Sequence, residues 1–293
     1  MLSPDGSVVA SQGAIDRPFY LRSAAKPFQA LVAQEAGAGL EPLELAMACA
    51  SHRGYPAHIA LVAAMLSVAG LGEGDLRCPA DWPLGAEAAR MVLRRGAVAP
   101  RRIWHNCSGK HAGFLRACAA RGWPLASYRD SAHPLQQRII EVIGELSGMS
   151  VEPVGVDGCG VPVLRTTARA MGLLYARLGN EPALADVFGV MRSYPSLIGV
   201  NGSGDSEISI ATGAAAKGGA AGCIGVAVDA RFGLAVKSWD GLGGVAAAAA
   251  VAALDQLGVL GETARTALAP VLRPTVLGGG LVVGHLEPSV ELT

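Results

Sequence analysis

Residues 222 to 241, GCIGVAVDARFGLAVKSWDG, constrain the fold more than any other stretch of this chain. Two apolar segments, 222 to 228 and 233 to 239, flank the short connection Asp229 to Phe232. That is the pattern of a β-hairpin, and a hairpin commits its strands to antiparallel pairing. A helical segment at 243 to 257 follows at once, and LVVGHLE near the end reads as a last strand. Upstream, helical spacing dominates: 42 to 50, 56 to 69, 86 to 95, 110 to 121, and HPLQQRIIEVIGELSG, where Leu135, Ile139, Ile140 and Ile143 share a face. The expected class is α+β, an antiparallel β-sheet with flanking helices and a mainly helical middle region at 84 to 148. A single domain over residues 1 to 293 is expected, since neither a repeat nor a long linker divides the chain.

At the N-terminus SPDGSVVAS reads as an Asp-Gly turn followed by a strand, with too few residues ahead of it for a partner, so a first strand is expected to be missing. The segment lacks the basic and apolar regions of a secretory leader, and the longest apolar run, VAAAAAVAAL, is half the roughly 20 residues that cross a bilayer. The expectation is a cytoplasmic protein. Lysine plus arginine and aspartate plus glutamate both number 24, and no run of like charge offers a grip on a phosphate backbone, which argues against nucleic acid as a partner. The six cysteines are scattered through a long chain, so core thiols, metal ligands or catalytic groups are expected rather than a disulfide framework.

Five polar clusters interrupt the apolar pattern. Ser23 and Lys26 are three apart at a predicted helix start, with Ser23 as the N-cap, and a lysine amine one turn away can take a serine proton. An N-cap beside a surface charge explains the same residues. Lys237, late in the second hairpin strand, stands where a strand end borders a cleft in Ser-x-x-Lys acyl-enzymes, or is a solvated charge. ASHRGYPAH, between two helices, places Ser51, His52 and His58 in one loop; a helix cap with surface histidines is the plainer account. WHNCSGKHAGF gathers His105, Cys107, Lys110 and His111, donors that suit zinc without the usual paired C-x-x-C units, so that Cys159 would be needed from far along the chain. GVDGCGVP puts Asp157 and Cys159 in a glycine-rich turn where Asp157 could meet a substrate ammonium group. GVNGSGDSE, 199 to 207, has neither the lysine of a P-loop nor dinucleotide glycine spacing, and nucleotides are not expected.

Taken in order, RSAAKPFQA, CASHRGYPAH, HNCSGKHAGF, HPLQQRI, VDGCGVP, KGGAAG and LAVKSWDG resemble the asparaginase II family, the rhizobial-type L-asparaginases, from about residue 8 to the C-terminus. CSGKHAGF together with DGCGVP is the most specific part of the likeness. The resemblance implies a fold like that of the serine β-lactamases and serine-dependent glutaminases, hydrolysis of L-asparagine to L-aspartate and ammonia, and a homodimer. It implies two Ser-Lys tandems, Ser23 with Lys26 and Ser51 with Lys237, and a zinc site of Cys107, Lys110 and Cys159. Arg22, His52 and Asp157 are the expected substrate contacts. In the expected chemistry Lys26 takes the proton of Ser23, Ser51 relays a proton to the leaving ammonia, and Lys237 poises Ser51 or steadies the oxyanion. The chain departs from the family pattern at Tyr55 and Ala221, where relatives carry Glu, and near Gly244, where they carry Arg. The missing first strand and the departures at Tyr55 and Ala221 keep open a non-catalytic amino-acid-binding relative; a β-lactamase-like acyl transferase, which shares the Ser-Lys logic, and a serine-dependent glutaminase, whose substrate is one methylene longer, are the other open classes.

Overall fold

The computed structural model describes residues 1–199 and 201–293; Val200, inside the GVNGSGDSE stretch, lies outside them. The chain gathers into two compact units. A sheet unit holds Met1–Ala24, Leu146–Met149 and Thr166–Thr293, and a helical unit holds Ala25–Glu145 and Ser150–Arg165. In chain order the elements are β1 (Phe19–Tyr20), α1 (Lys26–Glu35), α2 (Pro42–Cys49), α3 (Pro56–Val68), α4 (Ala86–Arg94), α5 (Ser108–Arg121), α6 (Pro134–Ser147), β2 (Pro153–Val156), β3 (Pro162–Thr166) and α7 (Ala168–Leu178). Then follow α8 (Ala185–Ser193), α9 (Pro195–Ile198), α10 (Gly204–Thr212), β4 (Ala215–Gly219), β5 (Cys223–Val228), β6 (Phe232–Lys237), α11 (Gly243–Gln256), α12 (Glu262–Leu272), β7 (Thr275–Gly278) and β8 (Leu281–His285). The class is the expected α+β, with small antiparallel sheets and helices on them.

In the sheet unit β4, β5 and β6 pair antiparallel in that order, Ile224 opposite Val236 and Val226 opposite Leu234. Alternation sends Ile224, Val226 and Val228 to one face, where they pack on Ala246, Ala250 and Val251 of α11. The alanine run is thus the buried face of a helix, its short side chains allowing a close approach to the sheet. The opposite face carries Gly225 and Gly233. A Cβ at Gly233 would overlap the α7 backbone at Ala176 and Gly172, so glycine is what lets α7 lie flat on the sheet. Within GVNGSGDSE, Gly204 opens helix α10 (Gly204–Thr212), whose buried Asp205 accepts from Lys217 Nζ of β4 at 3.2 Å and from Gly218 N at 2.8 Å. SVVAS forms no strand, because the turn at Gly6 (φ +93°) leaves only the isolated bridges of Leu2 with Val8 and with Gly233.

In the helical unit α5 is the central helix, its residues from Ser108 to Cys118 buried. Glycines 109 and 113 form a smooth face: a Cβ on Gly109 would sit 2.7 Å from the Met47 carbonyl oxygen of α2, and one on Gly113 only 3.5 Å from the Ala48 Cβ. Arg116 of α5 locks the same pair of helices, donating to Glu44 at 2.7 Å and to the Gly39 carbonyl at 2.6 Å. Among the described residues no helix is long and apolar enough to cross a membrane.

Candidate active site

The close crossing of α5 over α2 places the end of α2 beside the chain that leads into α5. Ala50 leaves α2 in an extended conformation (ψ 152°), which turns its carbonyl and the next residue, Ser51, away from the helix axis. Lys26, the first residue of α1, is 1% exposed, and its Nζ meets this corner: Ala50 O at 2.6 Å, Ser51 Oγ at 3.0 Å and Asn106 O at 3.4 Å. These partners suit both protonation states. An ammonium donates to all three, and a neutral amine donates to the two carbonyls and turns its lone pair to the Ser51 hydroxyl. Ser51 itself is half-buried. Sequence reasoning paired Ser51 with Lys237; in the helical unit the lysine on Ser51 is Lys26.

The histidines around this corner are neutral braces. His52 Nδ1 accepts from Gly54 N at 3.2 Å, which leaves the proton on Nε2 to donate to Ser108 Oγ at 2.8 Å, and Ser108 donates to the Ile103 carbonyl at 2.9 Å. Burial, then the nearby His58, Lys26 and His105, hold the His52 imidazolium well below its ordinary range. His52 was expected against substrate, yet both of its ring nitrogens are bonded within the unit. His105 likewise accepts from Cys107 N at 3.0 Å through Nδ1. Helix α3 is capped at Tyr55, where its backbone N donates to His58 Nδ1 at 3.2 Å, so Ser51 is not its cap.

Cys107 immediately precedes α5, Lys110 sits in its first turn, and Cys159 arrives on the turn between β2 and β3, where Gly160 (φ +88°) takes a conformation closed to most residues. Lys110 Nζ donates to Cys159 Sγ at 3.3 Å. The Cys159 thiol is held far below its ordinary value, first by a hydrogen bond from Cys107 and against burial, then by Lys110 and His111; Cys107 is pushed up by the same shared bond and by burial. Burial lowers Lys110, but the sulfurs and Asp157 outweigh it and raise it. His111 Nδ1 accepts from the Tyr128 hydroxyl at 2.6 Å, which itself accepts from Arg77 N at 2.9 Å, so the proton lies on Nε2. That Nε2 is buried and makes no hydrogen bond. Two sulfurs and an amine are a donor set that fits zinc, whereas the protonated Nε2 of His111 has no lone pair to offer a metal. Among the described residues no three His, Cys, Asp or Glu side chains converge as a metal site, so zinc here would depend on Lys110. Asp157 is half-buried in the same turn, accepting from Gly158 N at 2.9 Å.

In the sheet unit Ser23 is not a helix cap. It lies in the 3-10 turn Arg22–Ala25, and α1 begins at Lys26 with Ala25 in the cap position and no side-chain cap bond. Arg22, just before it, has φ +51°, a left-handed conformation that is uncommon for a residue with a side chain. Lys237, at the end of β6, is half-buried with Nζ 4.7 Å from the Trp239 ring centre; it donates to Ala221 O at 2.8 Å and also to Ser238 O. Ala221 thus serves Lys237 through its backbone carbonyl. Sequence reasoning did not find Asn106, Ser108, Tyr128 or Tyr175, and it passed over Asp205 and Lys217, because a buried polar pair leaves no periodic trace.

An α+β chain with a buried lysine amine hydrogen-bonded to the hydroxyl of a half-buried serine is the class that these elements define. The chain belongs to the L-asparaginase II family, whose model matches residues 1–288. None of the curated proteins compared matches it. Among solved structures it is similar to Mglu in its glutamate form, at 15% identity and TM-score 0.52, over 88% of this chain and 60% of that one. It is also similar to Mglu in its native form, at 16% identity and TM-score 0.47, over 85% and 61%. The first likeness shows a shared fold, and this chain spans about three fifths of the length of those solved chains.

Proposed function

We propose that this protein is an amidohydrolase that cleaves L-asparagine to L-aspartate and ammonia through a serine acyl-enzyme. The observation that carries the reading is the 3.0 Å hydrogen bond between Lys26 Nζ and Ser51 Oγ, in a chain of the L-asparaginase II family. Ser23 supplies the attacking oxygen, a role supported by the strained backbone just before it. Its Oγ bonds to the side-chain amide carbon while its proton passes to neutral Lys26. Ser51, bonded to Lys26, delivers a proton to the leaving nitrogen; the C–N bond breaks, ammonia departs, and an ester remains on Ser23. Water adds to the ester carbon, gives its proton back through Lys26 and Ser51, and aspartate leaves as Ser23 is reprotonated. Lys237 supplies positive charge to the developing oxyanion. Arg22 pairs with the substrate carboxylate and Asp157 with its ammonium group, while His52 braces the Ser51 loop.

Cys107, Lys110 and Cys159 would hold a zinc ion, which supplies a fixed positive charge beside Asp157. A homodimer is the assembly we infer, on the family likeness alone. A glutamine-directed activity is the second reading, favoured by the glutamate form of the protein that shares this fold. One methylene separates the two amides, a difference worth about 1–3 kcal/mol in a pocket. Ammonia release from L-asparagine and L-glutamine, measured with S23A and S51A alongside, tests the assignment. Release from asparagine that S23A abolishes supports it. Release from glutamine alone replaces the substrate, full turnover by S23A with loss in S51A transfers the nucleophile to Ser51, and no release from either amide by folded protein overturns the reading.

A further inference from the structure

Under the Ser23 turn, within the sheet unit, lies a fully buried phenol that the chemistry above does not use. Tyr175 of α7 donates its hydroxyl to the Ala24 carbonyl at 2.9 Å. A buried tyrosine hydroxyl ordinarily finds a partner, so the bond by itself is unremarkable. Its partner is not: Ala24 O belongs to the 3-10 turn that carries Ser23. The front of that turn is also fastened, since Leu21 O accepts from Ala24 N at 3.0 Å and from the Cys223 thiol at 3.6 Å. Between the two fastenings Arg22 is held at φ +51°, a conformation that would relax if either were lost.

Two strand glycines make room for this arrangement. A Cβ on Gly225 would overlap the Tyr175 ring, so the glycine opens the path by which the ring crosses β5 to reach the turn. A Cβ on Gly219 would sit 2.6 Å from Leu21 O, so the turn rests directly on the end of β4. Glycine weakens a strand interior unless something must pass close by, and here both glycines face the seat of one turn.

We infer that Tyr175 is a positioning residue: through its hydrogen bond to Ala24 it sets the backbone that aims the Ser23 hydroxyl. The inference rests on the reading of Ser23 as the nucleophile. Tyr175→Phe removes one oxygen and keeps the ring. Its kcat for amide hydrolysis should fall roughly tenfold, the loss expected of one hydrogen bond, with KM within about twofold of the parent. The rate at which a sulfonyl fluoride labels Ser23, read by peptide mass, should fall in parallel. A purely structural hydroxyl would lower the unfolding midpoint and leave both rates per folded molecule unchanged. Gly225→Ala, which displaces the ring without removing the hydroxyl, should slow both rates in the parent and add no further slowing in the Tyr175→Phe background. Parental kcat and labelling in folded Tyr175→Phe, with Ser23→Ala inactive, would overturn the inference alone. Full turnover by Ser23→Ala would overturn the nucleophile reading on which it stands.

Discussion

Lys26 Nζ lies 3.0 Å from Ser51 Oγ and 2.6 Å from the carbonyl of the residue before it, Ala50. One chain corner therefore holds both the acceptor that stabilises the ammonium and the hydroxyl that can exchange a proton with the amine. Lys26→Met keeps the bulk of the stem and removes this chemistry. Its kcat for amide hydrolysis is expected to fall by about 10²–10⁴, the usual worth of a positioned acid-base group, with a far smaller change in KM. Steady-state ammonia release, alongside circular dichroism to confirm folding, reads it; a loss below tenfold would remove Lys26 from the proton route.

The ion pair between Asp205 and Lys217 is buried on both sides, at 9% and 2% side-chain exposure. Burial alone would raise the Asp205 carboxyl, but Lys217, Gly218 N and Ser203 outweigh it and hold it at about 2. Because the folded value is depressed, its stability contribution is present above the unfolded value of about 3.9 and is lost as pH falls through about 2. Lys217→Met strands the carboxylate and should cost about 3–5 kcal/mol in urea unfolding at neutral pH. In the variant the stability lost between about pH 4 and 2 should shrink or reverse.

A milder acid sensitivity begins higher. Burial keeps His52 well below its ordinary value and His111 at about 4, whereas both protonate near 6.5 once unfolded. Stability is then complete above about pH 6.5 and declines as pH falls, by up to about 1.4 kcal/mol per pH unit for each such histidine. Urea midpoints at pH 7.5, 6 and 5 check the slope, and His52→Asn, which can retain a donor and an acceptor, should flatten it.

Zinc binding should be a property of three residues, Cys107, Lys110 and Cys159. Purified protein is expected to carry about one zinc per chain, and Cys159→Ser and Lys110→Met each to lower that occupancy by at least about tenfold. Elemental analysis after gel filtration measures it. Parental occupancy in Lys110→Met would exclude the amine as a ligand.

Gly109 tests how the active-site corner is set. Its missing Cβ lets α5 lie against the Met47 carbonyl, 2.7 Å from where that carbon would be. Gly109→Ala should destabilise by about 1–3 kcal/mol and, by pushing α2 and Ser51 away from α5, lower kcat as well. Gly113→Ala, with ordinary contacts at 3.5 Å, is expected to be much milder on both measures.

Several of these arrangements were legible in the amino-acid order and others were not. The antiparallel pairing of β5 with β6 follows from two apolar runs around a short turn, a local signal that any hairpin leaves. Helices α2, α3 and α6 fall close to their predicted spans, α6 through its one-sided periodicity and α2 and α3 through a proline opening an apolar run. The residue types of the candidate site were also visible, as polar groups close in sequence: Cys107 with Lys110 at the start of α5, and Ser23 with Lys26, which fall in a 3-10 turn and at the first position of α1.

What the sequence could not contain was pairing across distance. Ser51 meets Lys26 because α5 crosses α2 at two glycines; Asp205 meets Lys217 because α10 packs beside β4; Tyr175 reaches Ala24 because β5 has no side chain at 225. Periodicity reports which face of an element is apolar, since burial of that face is a local average over a few turns. A hydrogen bond between residues far apart in the chain depends on two specific atoms arriving within about 3 Å, and only the packed chain brings them there.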